Sequence, residues 1–281
     1  MAHSHSEPRE RPMRIQVFHS TAPTCFWSWG YEAVFNRLRL VYGDQIDIQV
    51  QIACVYEDFD EYLKRYELTF EGTKGWTEEA IEIMRIPLYT DYRREKFPRS
   101  VLPASLASIA ANRQGERKGA RYFRALLRRS CVEGQDVTEE SIQLDAAREA
   151  TLDLDAFREA LQDEDGLSSE YHGQGDEFYH MPLGFYNVIV TDGRDRTVIL
   201  DYAFDPPVVE EAVDYLSRGQ LAKRSPTDLV GYLRDHGPAP TVEIARVFGL
   251  TQDEAAAKLG SLRDQGRATA RSLAGAPHWS A

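Results

Sequence analysis

Cysteine is scarce in this 281-residue chain: there are three, Cys25, Cys54 and Cys131, an odd number with no CxxC spacing. That excludes a disulfide framework and a zinc knuckle, so any thiol chemistry must rest on a single sulfur. No stretch approaches 18 consecutive apolar residues, which argues against a membrane-spanning helix. Basic charge is also in deficit. Against 45 Asp and Glu there are 33 Lys and Arg, giving a net charge of -12 and a pI near 5.1. A surplus of this sign repels phosphate backbones and anionic lipid, so neither nucleic acid nor a membrane is expected as partner. The first 13 residues lack the apolar core of a secretory signal and read as a disordered leader on a cytoplasmic protein.

What is present suffices for a large core: 42% of residues are hydrophobic and 11% aromatic. Ile15 to Phe18 is a short β-like run. From Phe26 through Tyr31, Val34, Phe35, Leu38 and Val41 the apolar spacing turns helical. Ile46 to Ile52 alternates apolar with polar as a strand does. A βαβ unit of this length implies parallel strands with a right-handed crossover. Between about 77 and 161 strand signals vanish, and four helices are expected at Leu102 to Asn112, Ala120 to Leu127, Glu139 to Glu149 and Leu154 to Leu161, with Asp136 and Asp153 at N-cap positions. Phe185 to Val190 and Thr197 to Tyr202 flank Asp192-Gly193 and read as a hairpin. Pro206-Pro207 then opens another helix.

The order β-α-β, helices, β-β-α predicts an α/β fold, thioredoxin-like with a helical insertion at about 77–161, over residues 14–220. Residues 225–281 form a separate module, with three short helices and a final wing that make it winged-helix-like. In the stretch from Pro226 onward six basic residues face six acidic ones. A net of zero, with Asp253 and Glu254 opening the third helix, argues for packing or partner docking over groove binding.

Cys25-Phe26-Trp27-Ser28-Trp29-Gly30 follows the first strand and opens the first helix. Unpaired N–H groups and the positive dipole end there favour thiolate over thiol, which makes Cys25 the candidate nucleophile. Ser28 stands where a resolving sulfur would be. A CxxS site can form a mixed disulfide but cannot release it by closing an internal bond, while Ser28 could still donate a hydrogen bond to the thiolate. Trp27 is the candidate exposed ring beside the sulfur, with Trp29 expected in the core. Two readings of Cys25 stand side by side, the reactive sulfur and a small buried hydrophobe. Cys54 and Cys131 read as core residues. His172, His180 and His278 are scattered without ligand spacing, so no metal is expected. Tyr171 to Asp176 reads as a flexible connection.

The run Thr24-Cys25-Phe26-Trp27-Ser28-Trp29-Gly30-Tyr31-Glu32, followed by Tyr42-Gly43-Asp44, resembles the DsbA family of thioredoxin-fold proteins. Phe97-Pro98-Arg99-Ser100, Tyr122-Phe123-Arg124, Val132-Glu133-Gly134 and Leu152-Asp153-Leu154-Asp155 continue the likeness toward the FrnE-like branch of dithiol-disulfide isomerases. Ile244 to Thr251 and His278-Trp279 resemble the bacterial adaptors that present the regulator Spx to the ClpXP protease, which also join a DsbA-like domain to a winged helix. The resemblance implies a thiol-disulfide oxidoreductase or isomerase of reduced or altered activity, with Cys25 and Ser28 as its catalytic pair. Phe26, Trp27, Phe185 and Tyr186 would then hold a thiol or disulfide substrate. No cofactor is implied, although a thiol such as glutathione would serve as cosubstrate. The alternative it implies is a non-catalytic adaptor that binds a protein client. The chain departs from the family at Phe26, at Ser28 and in the facing loop. There Tyr186 aligns with the family's cis-proline, and Pro182 lies four residues earlier.

Overall fold

The computed structural model describes residues 14–178 and 184–281. The leader and Pro182, with His180, lie outside the described residues.

The first strand, β1 (Ile15–Thr21), feeds α1 (Phe26–Tyr42), and β2 (Ile46–Ile52) returns parallel to β1 with Ile15 opposite Ile46. This is the crossover that the alternating and helical periods imply. A hairpin of β3 (Asn187–Thr191) and β4 (Thr197–Asp201) completes the sheet in the order β2-β1-β3-β4, with β3 antiparallel to β1. The helix that follows, α9 (Pro206–Ser217), begins at its two prolines, where absent N–H groups cost nothing.

Between β2 and β3 run α2 (Phe59–Arg65), α3 (Phe70–Met84), α4 (Leu102–Asn112), α5 (Glu116–Cys131), α6 (Glu140–Glu149), α7 (Leu154–Gln162) and α8 (Glu164–Phe178). The helical stretch is thus wider than 77–161. Its four expected helices are α4 to α7. Tyr171 to Asp176, expected as a connection, lies within α8. Asp153 caps α7 by accepting from the Asp155 and Ala156 amides, whereas Asp136 turns its carboxylate onto Thr138 and α6 starts after Glu139.

The core lies between the sheet and these helices. Trp29, Tyr31, Val34 and Leu38 of α1 are fully buried, with Met84 and Phe204 packed against them. Gly30 permits that packing, because a Cβ there would meet the Met84 sulfur and the Phe204 ring.

The C-terminal module comprises α10 (Leu229–His236), α11 (Thr241–Phe248) and α12 (Gln252–Asp264). These pack on a small sheet of β5 (Ala239–Pro240), β7 (Ala276–Ser280) and β6 (Thr269–Leu273), a combination of helices and sheet consistent with the expected module. Thr251 and Glu254 form a reciprocal capping box on α12, and Gly249 closes α11 in the left-handed region. The module's core of Tyr232, Leu233, Ile244, Val247, Leu259 and Trp279 also contains Ala33 of α1. The two parts are joined through α1.

Candidate functional site

Cys25 is the N-cap of α1: its own backbone is extended, and its amide donates to Ala22 O at 3.0 Å. The sequence therefore places it correctly at the helix start. Its side chain, however, is only 6% exposed. Burial pushes the Cys25 thiol up. The Ser28 hydroxyl and the Ser28 and Trp27 amides draw it back only in part. The thiolate that the helix terminus would favour is opposed more strongly by desolvation.

Ser28 is buried beside Cys25, near enough for its hydroxyl to favour a charged sulfur, but its Oγ makes no hydrogen bond of full geometry to the neutral thiol or to any other group among the described residues. Tyr62 and Cys131 stand near enough that a charge on Cys25 would raise their own pKa values, so the sulfur lies within electrostatic range of α2 and α5. Cys131 is fully buried, and Cys54 is half-buried with its thiol donating to Tyr56 O at 3.0 Å. All three cysteines are free.

The aromatic residues assemble beside the motif, with a member the sequence did not single out. Phe26 and Trp27 are half-buried with ring centroids 5.0 Å apart. Trp27 meets the Tyr202 edge at 5.4 Å and stacks on Phe204 at 5.7 Å. Tyr202 in turn stacks on Tyr186 at 5.2 Å, and both tyrosines are more than two-fifths exposed. Tyr186 is thus linked to Trp27 through Tyr202, an aromatic just past the hairpin. Phe185 is half-buried. Tyr31 is wholly internal: its hydroxyl donates to Tyr186 O at 2.8 Å and accepts from the Ala203 amide at 3.1 Å, tying the facing loop to the end of the hairpin. Among the described residues the only cis peptide is Gly237–Pro238, so the bond before Tyr186 is trans. A backbone turned outward by a cis-proline is not reproduced at Tyr186.

His19, in the middle of β1, also escaped the sequence reading, although a histidine in an apolar strand was the available signal. It is 1% exposed, its Nδ1 lies 2.9 Å from Asn187 O, and burial lowers its pKa to about 4. The ring is neutral, Nδ1 donates, and Nε2 is left as an acceptor without a partner. His19 and Ser28 border a cleft of about 580 Å³ between the sheet, α1 and α5.

A buried ion network holds the module to α1. Arg124 of α5 donates to Glu32 and Glu243, each at 2.8 Å, and to His236 O at 2.8 Å, with its guanidinium 4.9 Å from the Trp29 ring centre. Tyr232 donates to Glu243 at 2.5 Å and accepts from Asn36 at 3.1 Å. Arg37 pairs with Glu210 at 2.8 Å and reaches Val247 O at 3.0 Å. Among the described residues no cluster of His, Cys, Asp or Glu could hold a metal ion, and no helix is long and apolar enough to cross a membrane.

Sheet order, inserted helices and a sulfur at the head of α1 define a thioredoxin-like protein, and the chain belongs to the thioredoxin family, whose model matches residues 18–168. It is similar along most of its length to proteins named ClpXP adapter protein SpxH. The identity is 24% with that of Shouchella clausii, covering 91% of this chain and 84% of the relative, and 24% with that of Halalkalibacterium halodurans, covering 93% and 86%. Among solved structures, a putative protein disulfide isomerase from Nitrosomonas europaea superposes with a TM-score of 0.57 at 15% identity, over 74% of this chain and 99% of that one. The cytosolic disulfide reductase DsbM from Pseudomonas aeruginosa gives 0.56 at 18% identity, over 72% and 98%. At these identities the structures establish the shared fold.

Proposed function

We propose that this chain is a protein-docking adaptor built on a thioredoxin fold whose redox centre has fallen silent, and that it delivers a client to a ClpXP-type protease in the cytoplasm. The observation that carries this reading is the state of Cys25: enclosed, with a thiol pushed up by burial and a serine in place of a second sulfur. A nucleophilic thiol needs an accessible thiolate. Support comes from the adaptor-named relatives, whose similarity reaches across both the thioredoxin-like part and the C-terminal module. The exposed pair Tyr186 and Tyr202, with Trp27 beneath, suits a docked protein surface, because aromatic rings bury large area at little entropic cost.

The rival reading is a monothiol disulfide isomerase using Cys25 and Ser28, with glutathione as cosubstrate. Iodoacetamide labelling of the folded protein across pH separates the two. The adaptor reading expects Cys25 to react more slowly than a free thiol and to gain reactivity only above the ordinary thiol range of about 8.5. It also expects Cys25→Ala to capture the same client and to support the same rate of client degradation by ClpXP. Fast labelling at neutral pH, together with loss of a covalent complex in Cys25→Ala, would replace it with the enzyme.

A further inference from the structure

The cleft beside Ser28 does not end at α1. It adjoins a second hollow of about 270 Å³, and the two share Arg121, Arg124, Asp235 and His236, so that one trough runs along α5 between α1 and α10. Six arginines line it: Arg39 from α1, Arg117, Arg121, Arg124 and Arg128 from α5, and Arg234 from α10. The four on α5 are spaced by four, three and four residues, which puts them on one helix face. Only four carboxylates share the lining, Glu32, Glu116, Glu149 and Asp235. Glu243 and Glu133, which pair with Arg124 and Arg128, bring the carboxylates to six, so the arginines are matched in number and any positive charge is local to those without a carboxylate partner.

The pairing is uneven along the trough. Arg124 is saturated by Glu32, Glu243 and His236 O, and Arg128 by Glu133 and Glu149. Arg117 and Arg121 both converge on Asp235, the former at 3.6 Å. Among the described residues Arg39 donates to the neutral amide oxygen of Asn36 at 3.3 Å, and neither Arg39 nor Arg234 has a carboxylate within ion-pair distance. Unneutralised guanidinium charge therefore sits on Arg39 in the larger hollow and on Arg234 in the smaller one. The His236 imidazole, which lines both hollows, is pushed down to about 3 by burial first and then by the charges of Arg124, Arg39, Arg121 and Arg117. Phe35, Ile48, Val50, Ile52 and Phe123 supply apolar walls to the larger hollow.

We propose that this trough binds a small organic polyanion, with anionic groups held by Arg39 in the larger hollow and Arg234 in the smaller, and a carbon body against the apolar walls of the larger one. Planar guanidinium forks match carboxylate and phosphate oxygens two at a time, and the volume is that of small-molecule sites. Both carboxylates and phosphates carry this chemistry. A ligand here touches the first helix, an inserted helix and the C-terminal module together, so its occupancy favours their docked arrangement. The proposal stands whether or not the adaptor reading does.

Calorimetric titration of the full chain with citrate and, separately, with fructose 1,6-bisphosphate at constant ionic strength is the test. Saturable binding of at least one anion is expected, weaker at higher salt, and reduced about tenfold by Arg39→Gln and further by the Arg39→Gln, Arg234→Gln pair. Both side chains are exposed, so the variants should fold, which a denaturation curve would verify. Citrate alone binding assigns carboxylate ligands, and the bisphosphate binding assigns phosphate. No saturable heat from either anion, or equal affinity in the double variant, overturns the proposal.

Discussion

Arg124→Met probes the joint between the two parts of the molecule. Arg124 and Glu243 are both almost fully enclosed, and among the described residues no other cation lies within ion-pair distance of Glu243, although Arg246 is near enough to feel its charge. Methionine keeps most of the side-chain volume over Trp29 while removing the charge, which leaves Glu243 with the Tyr232 hydroxyl as its remaining partner. Removing one member of a buried pair costs about 3–5 kcal/mol, which for a chain of this size lowers the unfolding midpoint by roughly 6–20 °C. The sign with pH is also fixed. Burial already raises the Glu243 pKa, with Arg124 opposing it, so the variant raises it further. A carboxyl whose native pKa exceeds its unfolded one destabilises when ionised. The deficit should therefore be full near neutral pH and shrink as pH falls toward the unfolded carboxyl range of about 4.3. Urea denaturation of wild type, Arg124→Met and the Arg124→Met, Glu243→Gln pair at several pH values measures this. A loss below about 1 kcal/mol, or a deficit that does not shrink in acid, would refute the argument that an uncompensated Glu243 charge is responsible.

Three further outcomes are expected. The His19 ring should stay neutral through pH 5 in an NMR titration, because its pKa is lowered to about 4. As its native value lies below the unfolded one, it favours folding above about pH 6.5 and that contribution is lost as pH falls through 4. Gly30→Ala should cost about 1–3 kcal/mol in chemical denaturation by driving a methyl into Met84 and Phe204, and Met84→Ala in the same chain should recover part of it. Thr251→Ala removes the cap of α12 and should cost about 1 kcal/mol, measured as faster amide exchange in the first turn of that helix.

The elements legible in the sequence are those whose periods are long and clean. The alternation of Ile46 to Ile52 and the helical spacing from Phe26 to Val41 match β2 and α1, because one face of each is buried on a continuous core. The early inserted helices were missed because α2 and α3 are short or largely exposed and carry Gly72 and Gly75, so their apolar residues show no steady stripe. The paired glycines of α8 misled for the opposite reason: local turn chemistry was overridden by packing against α4 and β2. For the site, position was readable and environment was not. A cysteine after the first strand marks the head of α1, but its enclosure depends on elements such as those bearing Tyr62 and Cys131, far along the chain. Arg124 and Glu243 are likewise 119 residues apart, and nothing local couples them.

Ala33 belongs to the same buried cluster as Leu259 and Trp279, while its neighbours along α1 pack toward the sheet. One side of α1 is thus roofed by α12 and β7, which lie far along the chain from it. A ribosome must release the chain from α1 through β7 before that surface is shielded, so the nascent chain carries an open apolar seam over that whole interval, and a product cut off ahead of α10 would keep that seam bare.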